Sequence, residues 1–211
     1  MYVFEDLLKI IKLNDAGYDV GKINKAYEIA AAAHQGQMRK SGDPYISHPI
    51  AVAIILADLG MDTESVVAAL LHDVVEDTQV EIDTIRKEFG EETAQLVDGM
   101  TKLGKIPFSS REEQQAENVR KMLIAMAQDV RVIIIKLADR LHNMRTADYW
   151  GEQKARDKAL ETMEVYAPIA HRLGIRAIKE ELEDISLRYL DPVACKEIDN
   201  LLQTDKEEQD H

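Results

Sequence analysis

The stretch Glu64-Ser65-Val66-Val67-Ala68-Ala69-Leu70-Leu71-His72-Asp73-Val74-Val75-Glu76-Asp77 decides how this chain is read. From Val66 to Leu71 every residue is apolar, and a helix apolar on all sides belongs inside a core. Two ionisable pairs then follow. Burying even a neutral polar group without a partner costs roughly 2–7 kcal/mol, so His72 and Asp73 need compensation, and a metal ion is the simplest source. On a continuous helix, residues three and four apart share a face. That spacing sets His72 above Glu76, and Asp73 above both Glu76 and Asp77. The inner pair then suits metal ligation, and the outer pair suits work on the attacking water.

Working outward, this helix opens at Asp62-Thr63, and the one before it starts at Ser47-His48-Pro49 and stops at Gly60. Proline is tolerated at a helix start because its missing N–H has no intrahelical role there. Helices are also predicted from Val3 to Leu13 and from Ile23 to His34, and at about 81–89, 91–101, 111–127, 130–146, 152–173, 175–189 and 193–203. Val132-Ile133-Ile134-Ile135 has the β-branching of a strand, yet its pattern runs on through Asn143 without a breaker and reads as helix. The polar stretch from Gln37 to Ser47 is a loop or small hairpin, and Lys206 to His211 is polar enough to fray. The expected fold is therefore all-α, a bundle of about ten helices.

Composition narrows the function. Among 211 residues, 39 Asp+Glu outnumber 26 Lys+Arg, a formal net charge of −13. That disfavours nucleic-acid and anionic-membrane surfaces, which need a basic face, and leaves an anionic small molecule if cations gather locally. The single cysteine, Cys195, excludes an internal disulfide framework and a thiolate zinc cage within one chain. No run approaches the ~18 apolar residues of a membrane span, and the N-terminus lacks the basic and apolar regions of a signal peptide. A soluble, cytoplasmic protein is expected.

One His and one Asp are too few to hold a metal. His48 and Asp139, the latter embedded in Ile134-Ile135-Lys136-Leu137-Ala138, are candidates to complete the site, with Asn143 and Thr146 on the Asp139 face. A set of two His and two carboxylates suits Mn²⁺, Fe²⁺ or Zn²⁺. Blander roles compete: His48 as a cap, Asp139 as a core residue paired with Arg140 or Lys136, Arg39-Lys40 as a solvated turn. His34, His142 and His171 read as structural.

Three motifs stand in order: Arg39-Lys40-Ser41-Gly42-x-Pro44-Tyr45-Ile46-x-His48-Pro49, His72-Asp73-x-x-Glu76-Asp77, and Lys136-Leu137-Ala138-Asp139-Arg140-Leu141-His142-Asn143-Met144-Arg145-Thr146. With Thr101-Lys102-Leu103 and Tyr166 to Gly174, they closely resemble the hydrolase domain of the RelA/SpoT-homologue alarmone enzymes. The resemblance spans most of 21–191. It implies an HD-superfamily helical fold and Mn²⁺-dependent removal of the 3′-pyrophosphate from ppGpp or pppGpp, returning GDP or GTP and ending a stringent-response signal. It also implies metal ligands His48, His72, Asp73 and Asp139, with Glu76 and Asp77 acting on water. Arg39, Lys40 and Ser41 would lie against guanine and phosphates, and Asn143 and Thr146 against the nucleoside. The expected organisation is a hydrolase domain over 1–174 and a helical connection over 175–211 toward a synthetase domain absent from this chain. Two other readings remain open: an HD phosphohydrolase acting on another nucleotide, and a guanine-nucleotide-binding module without turnover.

Overall fold

The computed structural model describes residues 1–14, 17–105 and 112–209, with side chains for all of these except 112–115, 118, 125, 126 and 202–209. The expectation of fraying at Asp210 and His211 lies outside the described residues. The chain forms two compact units, Met1–His142 and Asn143–His211. Described residues form helices and turns, with no strand among them.

In the first unit, α1 (Phe4–Leu13), α2 (Val20–Ala33), α3 (Ser47–Asp58) and α4 (Thr63–Leu71) precede a single turn, α5 (Val74–Asp77). After these come α6 (Ile82–Phe89), α7 (Glu91–Gly104), α8 (Glu112–Gln128) and α9 (Val130–Arg145). Helices α3 and α4 form the centre. Every residue from Ser47 to Ala57 and from Ser65 to Leu71 is buried, because neither stretch has a polar face to offer water. Helix α1 packs on α3, and α2 and α7 on α4. A buried Leu or Ile side chain contributes ~1.5–3 kcal/mol, so this central pair carries much of the unit's stability.

The ends of these helices are fixed locally. Asp19 caps α2 by accepting from the Lys22 N–H at 3.0 Å, and Asp62 caps α4 by accepting from the Ser65 N–H at 3.2 Å. Such caps are worth ~1 kcal/mol each. Asp62 is also held by Arg131, whose Nη1 lies 2.5 Å from Asp62 Oδ2 and 2.8 Å from Glu92 Oε1. The same guanidinium reaches Asp129 Oδ2 at 2.7 Å, so one cation ties together the starts of α4, α7 and α9. Between α7 and α9 the approach is close because Gly99 has no side chain: a Cβ there would lie 2.8 Å from Val132 Cγ2.

One expectation in this unit needs correction. The His72–Asp77 segment does not continue α4 as one helix, since α4 stops at Leu71 and α5 begins at Val74. His72 Nδ1 lies 2.6 Å from the Ala69 carbonyl, the acceptor that a regular helix would give to the Asp73 N–H. The side chain thus takes a backbone bond of the helix at its break. Between α2 and α3 the chain makes a tight antiparallel loop rather than a ladder, with one isolated bridge from Met38 to Pro44. Arg39 N–H donates to the Asp43 carbonyl at 2.8 Å and Gly42 N–H to the Arg39 carbonyl at 3.0 Å, and Gly42 takes φ +85°, a value that L side chains rarely adopt.

The second unit holds α10 (Glu152–Glu161), α11 (Ala167–Arg172), α12 (Arg176–Leu190) and α13 (Pro192–Gln209). The predicted single helix over 152–173 is interrupted by a π-helical turn, Thr162–Tyr166. Pro168 explains it: proline lacks an N–H and clashes with the carbonyl four residues back, and a wider turn relieves both. Helix α13 runs through Gln209, beyond the expected end near 203. Arg145 grips the Glu181 carboxylate with two bonds, 2.5 and 2.8 Å, and Ile178 and Leu182 of α12 are buried in the unit's interior. No helix among the described residues is long and apolar enough to cross a membrane.

Candidate metal centre

Three buried segments of the first unit deliver donors to one point: the first turn of α3, the break between α4 and α5, and the buried face of α9. His48 Nε2 lies 3.0 Å from Asp139 Oδ1 and 3.8 Å from Asp73 Oδ2. His72 Nε2 lies 3.0 Å from Asp73 Oδ2 and 3.9 Å from Asp139 Oδ1. His48, His72 and Asp139 are all buried, and each offers one ligand atom within 4.8 Å of the others. The donor set fits a divalent cation on a second ground as well. His72 Nε2 is buried and, although Asp73 Oδ2 stands 3.0 Å away, the two are not aligned for a hydrogen bond, while its Nδ1 is engaged by the Ala69 carbonyl at 2.6 Å. If Nδ1 carries the proton, Nε2 presents a lone pair to the cluster.

The electrostatics call for positive charge at this point. Burial opposes charging His72, but the carboxylates of Asp73 and Asp139 prevail and push its pKa up to about 9. Burial prevails at His48 and pulls it down. Burial would raise Asp139, yet Lys136 and the two imidazoles hold its carboxyl well below the usual range. Lys136 Nζ supplies an ion pair to Asp139 Oδ2 at 2.7 Å. This orients the carboxylate so that its Oδ1 faces His48.

Glu76 and Asp77 lie one short turn away and are exposed. Partial burial raises the Glu76 carboxyl, and the neighbouring Asp73 and Asp77 charges raise it further. Its carboxylate packs against the end of α7, where a Cβ on Gly104 would stand 3.2 Å from Glu76 Oε2. The sequence reading missed Tyr45, whose hydroxyl donates to Asp73 Oδ2 at 2.7 Å and reaches Asp77 Oδ2 at 3.3 Å. One phenol thus spans the inner and outer pairs. Tyr45 lies within the Arg39–Pro49 motif, but only the fold brings it across to residues 28 and 32 positions away.

The loop between α2 and α3 sends Arg39 toward the same carboxylates. Burial lowers its pKa, and Tyr45, Asp139, Asp73 and Asp43 oppose that shift. Lys40 is exposed. Ser41 is occupied within its own turn, its Oγ donating to Asp43 Oδ2 at 3.1 Å. Asn143 and Thr146 fall in the second unit, where the Thr146 hydroxyl and N–H both donate to the Asn143 carbonyl, at 3.2 and 3.3 Å.

Comparison with known proteins places this arrangement among others. The family model for the HD domain matches residues 26–176. The chain is 53% identical over 203 residues to a GTP pyrophosphokinase of Streptomyces antibioticus, covering 95% of this chain and 24% of that protein. It is 50% identical over 192 residues to the bifunctional (p)ppGpp synthase/hydrolase SpoT of Escherichia coli K12, covering 91% and 27%. A probable guanosine-3′,5′-bis(diphosphate) 3′-pyrophosphohydrolase of Synechocystis is 54% identical over 180 residues, covering 85% and 24%. This chain therefore spans about a quarter of the length of these curated relatives. A solved structure described as a metazoan ortholog of SpoT that hydrolyses ppGpp superposes with a TM-score of 0.57 at 26% identity, covering 81% of this chain and 96% of that one.

Proposed function

This chain belongs to the HD domain family, and from that premise we propose that it hydrolyses the 3′-pyrophosphate of ppGpp and pppGpp with the help of a divalent cation, Mn²⁺ by preference. The observation that carries the reading is the convergence of His48, His72 and Asp139, with Asp73 Oδ2 3.0 Å from His72 Nε2, beside an exposed carboxylate pair. His48, His72, Asp73 and Asp139 would hold the cation. It would supply a water of lowered pKa and offset charge developing on the scissile phosphate.

The chain's own groups divide the remaining work. Glu76, whose carboxyl is raised by burial and by its neighbours' charges, is suited to take a proton from the attacking water, since a base works best with its pKa near the operating pH. Asp77, tied through Tyr45 to Asp73, orients that water. Arg39 offers a flat guanidinium to the base, Lys40 a point charge to phosphate, and Ser41 stands beside them in the same loop. The sequence resemblance assigns the nucleoside to Asn143 and Thr146 and residues 175–211 to a connection toward a synthetase domain. The activities for which its relatives are named support the substrate, and the lone cysteine suits a reducing cytoplasm.

The test is incubation with ppGpp and Mn²⁺, resolving GDP and pyrophosphate, beside His72→Ala and Asp73→Asn. Product from the parent chain alone, abolished by chelation, is the expected result. No product above either variant rejects the proposal, and turnover of a deoxynucleoside triphosphate with ppGpp inert replaces the substrate.

A further inference from the structure

His142 is 5% exposed and has no part in the chemistry above. Its Nδ1 lies 2.7 Å from His48 Nδ1, across 94 residues of sequence, with ring centroids 4.9 Å apart and planes tilted by 33°. Two imidazole nitrogens at hydrogen-bond distance fit only when one carries the proton and the other a lone pair. The choice between them is not free. His48 Nε2 is the atom that faces the carboxylates, 3.0 Å from Asp139 Oδ1, and ligating a cation there requires its lone pair. The His48 proton must then sit on Nδ1, so His142 Nδ1 must accept it and His142 must carry its own proton on Nε2.

We infer that His142 is the positioning residue of the metal centre, accepting the His48 Nδ1–H and so fixing both the tautomer and the ring plane of that ligand. The inference rests on the cation site proposed above. Its geometry resembles the other histidine of the site: His72 Nδ1 meets the Ala69 carbonyl at 2.6 Å, a backbone acceptor doing for His72 what His142 does for His48. Partners on the far nitrogen of a ligating histidine typically change metal affinity by 10–100-fold. The ring of Tyr2 stands edge-on to His142 at 6.2 Å, packing it from another side.

The test is Mn²⁺ affinity by titration calorimetry on the parent chain, His142→Phe and His142→Asn, with metal-free thermal unfolding of each as a control. Phenylalanine keeps the ring and deletes the acceptor, whereas the amide oxygen of asparagine can stand where Nδ1 stands. His142→Phe should weaken Mn²⁺ roughly 10–100-fold and His142→Asn should bind nearly as the parent does. Equal affinity in parent and His142→Phe overturns the inference, and so does equal weakening in both variants, which would indicate packing alone. A parent chain that binds no divalent ion overturns the cation site itself, a separate outcome. Imidazole ¹⁵N spectra of the Zn²⁺-loaded parent need no variant to fold: His142 protonated at Nε2 and bare at Nδ1 supports the inference, and the opposite tautomer refutes it.

Discussion

Replacing Gly99 by alanine should destabilise the protein, and the same replacement should stabilise it once Val132 has been cut to alanine. A Cβ at Gly99 would lie 2.8 Å from Val132 Cγ2 and 3.0 Å from Cγ1, against an optimum of about 3.5–4.0 Å for two carbons. Val132 cannot easily yield, because a β-branched side chain on a helix has essentially one χ1 rotamer. Overpacking of this kind costs about 1–3 kcal/mol, whereas glycine to alanine in a helix gains about 1 kcal/mol from propensity alone. The net for Gly99→Ala is a loss of up to about 2 kcal/mol. Val132→Ala alone leaves a cavity and costs about 1.5–3 kcal/mol. In that background the Gly99 change retains its propensity gain and refills space, so the two substitutions should couple by about 1–3 kcal/mol. Urea unfolding followed by circular dichroism, with chelator present throughout and a second probe to check two-state behaviour, measures all four corners of the cycle. Gly99→Ala raising stability in the parent, or coupling within about 0.5 kcal/mol of zero, would refute the reading that this glycine sets the approach of α7 to α9.

Gly104→Ala should leave stability and Mn²⁺ affinity nearly unchanged, because the atom met at 3.2 Å is the mobile end of Glu76. Turnover should fall about tenfold or more as that carboxylate is displaced, and steady-state kinetics showing no change in kcat would detach Glu76 from the chemistry. Tyr45→Phe removes the hydroxyl shared by Asp73 and Asp77; calorimetry should show Mn²⁺ binding weakened by about tenfold, and unchanged affinity would make the bridge incidental. Asp129 is held below the usual carboxylate range chiefly by its hydrogen bond to Arg131. A depressed folded-state pKa stabilises fully above the unfolded value of about 3.9 and is lost as pH falls through the folded one. The stability advantage of the parent over Arg131→Gln should therefore shrink below about pH 4, and an advantage that widens on acidification would contradict the assignment.

Where one residue's neighbours along the chain determine its surroundings, the sequence was enough. Val66 to Leu71 left no polar face and is buried throughout, and the run before Asp139 is buried at Val132, Ile133, Ile135, Leu137 and Ala138; carboxylates at the edge of such segments stand out as needing partners. What could not be read is of two kinds, local side-chain effects that interrupt a helix and contacts between residues distant in sequence. The break after Leu71 arises from a side chain capturing the Ala69 carbonyl, a competition that periodicity does not register. Tyr45 and His142 acquire their contacts only when α3 is laid against α5 and α9, across 28 and 94 residues. The π turn at Thr162–Tyr166 was signalled by Pro168, whose carbonyl clash falls four residues upstream, inside what otherwise reads as an unbroken helix.

The contact between His48 and Asp139 joins points 91 residues apart. Closing so long a segment is entropically unfavourable until other contacts have formed, and contacts of high sequence separation come late and slowly in folding. A cation seated on both residues therefore certifies that everything between them has already been laid down correctly. Chains left unfolded anywhere between these two residues would be inert rather than weakly active, and the ion would serve as a clasp on the finished structure instead of a nucleus for its assembly.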